Sequence, residues 1–189
     1  MTDPQTLPDD LPRPVDDGAA DHLPGTPMPA VVLPTTGGET LDLATLGAGR
    51  TVLYIYPMTG RPGADLPTGW DEIPGARGCT PESCGFRDHY QDLKVAGAQA
   101  VYGLSSQDTD YQREAVDRLR LPFAMISDEN LRVADALRLP TFEADGITLY
   151  KRITLIVRDG TIEHVFYPVF PPGEHAEQVL GWLRAAGSS

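Results

Sequence analysis

Cysteine is scarce in this chain: two occur among 189 residues. Two are too few for the disulfide framework of a small secreted domain, so reversible redox chemistry is the use to look for. Basic residues are also short, with 15 Lys and Arg against 27 Asp and Glu and a formal charge of -12. A surface that tracks phosphates needs clustered cations, which argues against nucleic acid and against an anionic membrane as partners. No apolar run reaches the length of a membrane-spanning helix. The start of the chain has neither a basic cluster nor an apolar stretch, so it does not read as a secretory signal, and a cytoplasmic location is expected. Gly-x-Gly-x-x-Gly and Walker-type loops are missing, and the histidines (His22, His89, His164, His175) are scattered. No metal, haem, flavin or nucleotide cofactor is therefore expected.

What is present suffices for one core, with 41% apolar residues. Residues 1–24 hold six acidic side chains, one arginine and five prolines. Such a segment buries too little to offset its ordering entropy, so it reads as a flexible acidic Pro-rich tail ahead of a domain over 25–189.

From there the pattern alternates. Val31–Leu33 and Glu39–Leu43 read as short strands around a turn, and Thr51–Tyr56 (TVLYIY) as a strand buried on both faces. The Gly- and Pro-rich stretch 57–78 reads as a long loop, a length that usually signals function. Thr80-Pro81-Glu82 starts a helix running to about Val95. Strands follow at Gln99–Leu104 and Phe123–Ile126, with helices after each, at Tyr111–Leu119 and about Asn130–Leu137. Ile153–Arg158 and Thr161–Tyr167 flank Asp159-Gly160, a hairpin signal, and Ala176, Val179, Leu180 and Leu183 line one face of a final helix. The expected fold is α/β and thioredoxin-like: a central mixed sheet flanked by helices, with an N-terminal strand-pair extension.

Cys79 and Cys84 lie in GCTPESCGFRDHY, where the long loop meets the first helix. A Cys-x-x-Cys motif is absent, which counts against a general disulfide exchanger. Both could be buried structural thiols, and Cys84 suits that description. Cys79 suits it poorly, because unpaired amides and the dipole at a helix start favour a thiolate and predict a lowered thiol pKa.

These residues carry a resemblance. YIYP, GCTPESCGFRD, KRITLIVRDGTIEHVF and a last helix ending in WLRAA resemble a peroxiredoxin of the Q type, the bacterioferritin-comigratory-protein-like subfamily, across about residues 25–187. The resemblance implies that Cys79 is the peroxidatic cysteine, oxidised by a peroxide to a sulfenic acid. It implies that Cys84 is the resolving cysteine, forming a disulfide within the same chain, and that Arg152 stabilises the thiolate and polarises the peroxide. The subfamily places Pro and Thr seven and three residues before the peroxidatic cysteine, where this chain has Glu72 and Ala76. Pro57 then matches the displaced Pro, and Thr59 is the candidate hydroxyl; Thr68 is the alternative, or Thr59 only starts a turn. Trp70 in the inserted loop could wall the peroxide pocket, present a partner surface, or pack on its own domain.

The expected activity is that of a thiol-dependent peroxidase acting on hydrogen peroxide or organic hydroperoxides and recycled by thioredoxin, working as a monomer. A redox sensor with little turnover, using the same cysteine pair, is the alternative. On a regular helix, cysteines five apart have Cα atoms separated by about 8.6 Å, beyond the roughly 7 Å limit for a disulfide. Forming that bond therefore requires the helix to unravel.

Overall fold

The computed structural model describes residues 7–187. Residues 1–6 of the expected tail lie outside the described residues.

The fold is built around β3, Arg50–Ile55, the β-branched and aromatic run. Alternation sends Leu53 and Ile55 into one apolar cluster and Val52, Tyr54 and Tyr56 into another on the opposite face. β4 (Ala98–Ser105) and β5 (Met125–Ser127) lie parallel on one side of β3, while β8 (Ile153–Arg158) and β9 (Thr161–Phe166) lie antiparallel on the other. The order is β5-β4-β3-β8-β9. A separate hairpin, β1 (Val32–Pro34) with β2 (Thr40–Asp42), reaches β5 through a bridge between Thr35 and Ile126. Helix α1 (Cys79–Asp88), α2 (Tyr90–Val95), α3 (Thr109–Leu119) and α5 (His175–Gly187) contribute Phe86, Leu93, Leu119 and Leu183 to the second cluster. Helix α4 (Arg132–Leu137) adds Val133 and Leu137 to the first. The architecture is the α/β thioredoxin-like one, with its mixed sheet and leading strand pair.

Three local expectations are corrected. The helix from Thr80 to Val95 is two helices, because His89 (φ -98°, ψ 7°) leaves helical geometry between them. Residues 141–150, between the helix expected to end near Leu137 and the strand expected from Ile153, form an additional hairpin, β6 (Thr141–Ala144) and β7 (Ile147–Tyr150). Its turn is Asp145-Gly146, both at positive φ. The third correction concerns the tail. Ala20 and Leu23 are buried in the first cluster, and His22 Nε2 lies 2.8 Å from the Leu137 carbonyl oxygen. Residues 25–28 then bond along β9 through Gly25 N–Ile162 O (2.7 Å) and Met28 N–Gly160 O (2.8 Å), covering part of a sheet edge. The acidic composition hid two apolar anchors, and one fully buried leucine contributes roughly 1.5–3 kcal/mol.

The long loop packs on the domain through Trp70, which is buried and stands 5.9 Å from the Phe142 ring of β6. Trp70, Ala76, Ala144 and Leu149 form a third small cluster. This settles the Trp70 alternatives in part: it anchors the loop on its own domain, and it also lines the cavity beside Cys79.

Candidate active site

Cys79 is the first residue of α1 and is only 3% exposed. Its position depends on Gly78, the residue before the helix, at φ 118°. A side chain there would be strained, and its Cβ would fall 2.2 Å from Pro172 Cγ, so only glycine admits this close approach. Further along α1, the Phe86 ring stacks on Tyr54 of β3 at 4.4 Å and 12°, and the Ser83 and Tyr54 hydroxyls are 3.0 Å apart. Gly103 of β4 leaves room for that Tyr54 ring, since a Cβ there would sit 2.7 Å from Tyr54 Cζ.

Arg152 reaches the sulfur from the residue just before β8. Its Nη2 donates to Cys79 Sγ at 3.2 Å and to the Ala76 carbonyl at 3.1 Å, with Gly75 and Arg77 carbonyls at 3.3 and 3.4 Å. Its Nη1 donates to Glu82 Oε1 at 2.7 Å, and both side chains of that ion pair are buried. One guanidinium thus ties together the end of the long loop, the thiol and the first turn of α1, a use that suits its planar fork. The Met58 amide is a further donor toward the sulfur.

The electrostatics correct one expectation. Burial pushes the Cys79 thiol up rather than down; Arg152 pulls against it, Glu82 adds to it, and the Met58 amide opposes it. The helix start is enclosed, so desolvation of a thiolate outweighs the pull of Arg152 and of the Met58 amide. Burial likewise pushes the Glu82 carboxyl up to about 7 despite Arg152. Near neutral pH Glu82 is therefore partly protonated, and in that form it leaves more of the Arg152 charge to the sulfur.

Thr59 does not join the site. It is buried, and its hydroxyl donates to Gln107 Oε1 at 3.2 Å, while its carbonyl accepts from Tyr111 and Gln107. The alternative, Thr68, donates its backbone amide to Asp145 at the turn between β6 and β7. Besides Arg152, the donor toward the sulfur is the main chain of Met58, one residue before Thr59. Cys84 sits half-buried five residues along α1, and both thiols are free. Glu82 escaped the sequence reading as a site residue; its spacing of three from Cys79 on one helix was the available signal.

Beside Cys79 opens a cavity of about 450 Å³, walled mainly by the inserted loop through Met58, Leu66 and Trp70, with Thr80 and the arginines Arg61 and Arg77 at its border. Among the described residues no three His, Cys, Asp or Glu side chains are grouped as a metal site would require.

A helix-start thiol under a buried arginine, on a thioredoxin-like sheet, defines a thiol-dependent oxidoreductase. The Redoxin family pattern matches residues 23–180. The chloroplastic peroxiredoxin Q of Populus jackii is 28% identical over 161 residues, which is 85% of this chain and 68% of that protein. Among solved structures, the peroxidoxin BcpB of Mycobacterium tuberculosis superposes with a TM-score of 0.69 at 26% identity, covering 87% of this chain and 98% of that one. Peroxiredoxin Q of Xanthomonas campestris superposes with a TM-score of 0.64 at 19% identity over 94% and 99% of the two chains, a likeness of fold. The chain belongs to the Redoxin family and, within it, to the Q-type peroxiredoxins. It is a thiol-dependent peroxidase.

Proposed function

We propose that Cys79 is the peroxidatic residue. Its thiolate attacks the terminal oxygen of a hydroperoxide, the O–O bond breaks, and the alcohol or water leaves as Cys79 becomes a sulfenic acid. Arg152, fixed 3.2 Å from the sulfur, stabilises the thiolate and polarises the oxygens; this contact is the observation that carries the reading. Cys84 then condenses with the sulfenic acid, releasing water and forming a disulfide within α1, and a dithiol protein of the thioredoxin type reduces it. A pair within one chain needs no second subunit, so a monomer is proposed, in a reducing compartment such as the cytoplasm.

The cavity supports organic hydroperoxides as substrates. A water molecule occupies about 30 Å³ and hydrogen peroxide is little larger, so most of the apolar wall at Leu66 and Trp70 would be idle with hydrogen peroxide alone. A coupled assay with thioredoxin, thioredoxin reductase, NADPH and either hydrogen peroxide or cumene hydroperoxide tests the reading. Sustained NADPH consumption that disappears in Cys79→Ser supports a peroxidase cycle; a single stoichiometric oxidation would make the protein a thiol switch. Leu66→Trp, which fills the cavity, is expected to lower kcat/KM for cumene hydroperoxide at least fivefold and to leave hydrogen peroxide within twofold.

A further inference from the structure

The stretch 7–17 runs across the approach to the Cys79 helix. At one end Asp17 accepts from the Tyr167 hydroxyl at 2.8 Å and pairs with Lys151 at 3.3 Å, next to Arg152 in sequence. The Arg13 guanidinium lies 5.0 Å over the Phe170 ring. Pro14 rests on Gly75, 3.5 Å from where a Cβ would stand. At the other end Leu7 lies against Gly78 and Gly173, at 3.4 and 3.9 Å from the corresponding Cβ positions. Gly75 and Gly78 bracket the residues that lead into Cys79, and Gly173 belongs to the turn that packs on α1.

The covered helix start is weak by itself. Gly78 provides no side-chain cap, and Gly85, inside α1, is a poor helix former. Tertiary packing therefore supplies what holds the first turns of α1 in place. Contacts of residues 7–17 with Gly75 and Gly78 tie the segment to the residues that lead directly into Cys79, so an unwinding that displaces Gly78 has to break them. Interactions broken before the transition state slow the step that breaks them.

We propose that residues 7–17 form a strap that restrains the unwinding of α1 and so sets the balance between two fates of oxidised Cys79. This rests on the Cys79 and Cys84 roles proposed above. In one fate, Cys79–SOH and the Cys84 thiol give the disulfide and water. In the other, Cys79–SOH reacts with a second hydroperoxide to give Cys79–SO₂H and the alcohol, and the cycle stops. Only the first requires unwinding, so the strap retards it selectively and raises the share of the second.

The test uses the full chain carrying Leu7→Ser with Asp17→Asn, and separately Arg13→Ala. The control is Val15→Ser, a strap residue 80% exposed. Rapid mixing with peroxide, quenching by thiol alkylation and mass spectrometry resolve sulfenic acid, disulfide and sulfinic acid. The expected result is a first oxidation within twofold of the wild type and disulfide formation at least threefold faster in the double variant. Arg13→Ala shifts the same way by a smaller factor, Val15→Ser matches the wild type, and the sulfinic share falls at fixed peroxide excess. Unchanged or slower disulfide formation overturns the proposal. So does a parallel slowing of both steps with a lower Tm, which would mean the segment only supports the fold. A wild-type protein that oxidises without any bond between Cys79 and Cys84 overturns the proposed resolving role itself, and the strap with it.

Discussion

At the scale of single residues, the decisive group is Arg152, because it meets two partners whose demands differ. Glu82 needs its charge to remain ionised in a buried place, and Cys79 needs it to become a thiolate. Arg152→Ala is expected to lower peroxide turnover at least a hundredfold and to destabilise the domain as well, since it leaves Glu82 buried and unpaired. Adding Glu82→Gln to Arg152→Ala should restore much of the lost Tm and none of the activity; recovery of activity would remove Arg152 from the chemistry. Glu82 also has a pH signature. Its folded pKa of about 7 exceeds its ordinary carboxylate value, so between about pH 4.5 and pH 7 the folded state binds more protons than the unfolded one. Its contribution to stability is complete below that window and is lost as pH rises through it. Chemical denaturation across the window should show a falling stability in the wild type and a flatter profile in Glu82→Gln.

The element that matters is α1. The structure places Cys79 and Cys84 on one continuous helix with both thiols free, so the geometric conflict between helix and disulfide derived from the spacing stands. The parts of α1 differ in how they are held. Phe86 stacks on the sheet, whereas the first turn depends on Arg152 with Glu82, and on Ser83 with Tyr54. Unwinding should therefore start at Cys79 and stop near Phe86. Hydrogen exchange by mass spectrometry should show faster exchange over residues 79–85 in the oxidised protein than in the reduced one, with little change beyond Phe86. Equal protection in both forms would mean that the helix persists and that no bond within it has formed. Cys84→Ser should keep the first oxidation, stop reductant-driven turnover and accumulate sulfinic acid at Cys79.

For the whole molecule, the leading segment belongs to the domain rather than trailing from it. Leu23 is fully buried among residues from β3, β8 and α4, so Leu23→Ala should cost about 2–5 kcal/mol of stability, read from urea unfolding. Deleting residues 1–24 should lower Tm markedly, because it removes that anchor and the pairing of Asp17 with Lys151 and Tyr167. A truncated chain as stable as the full one would return the segment to the status of a dispensable tail. The inserted loop behaves in the same way. Its many glycines and prolines marked it as irregular, yet Trp70 and Ala76 give it a core of its own against β6 and β7.

Local chemistry determined a good deal of this protein. Alternating and β-branched runs marked β3 and β8, the Asp159-Gly160 turn marked the hairpin to β9, and Thr80-Pro81-Glu82 marked the start of α1. These signals are legible because strand period, turn geometry and the fit of proline to a helix's first turn depend on neighbours in sequence, although the residue before α1 is Gly78 and Thr80 lies inside the helix rather than capping it. The cysteine segment was legible too, with Arg152 available only through resemblance. Tertiary structure decided the rest. Arg152 and Glu82 are 70 residues apart, so neither their ion pair nor its hold on Cys79 follows from spacing. Thr59 turned to Gln107, 48 residues away, and left the sulfur to a main-chain amide. The direction of the Cys79 shift depended on its burial beside the inserted loop, which outweighs Arg152, since desolvation is a property of the surroundings and not of a motif.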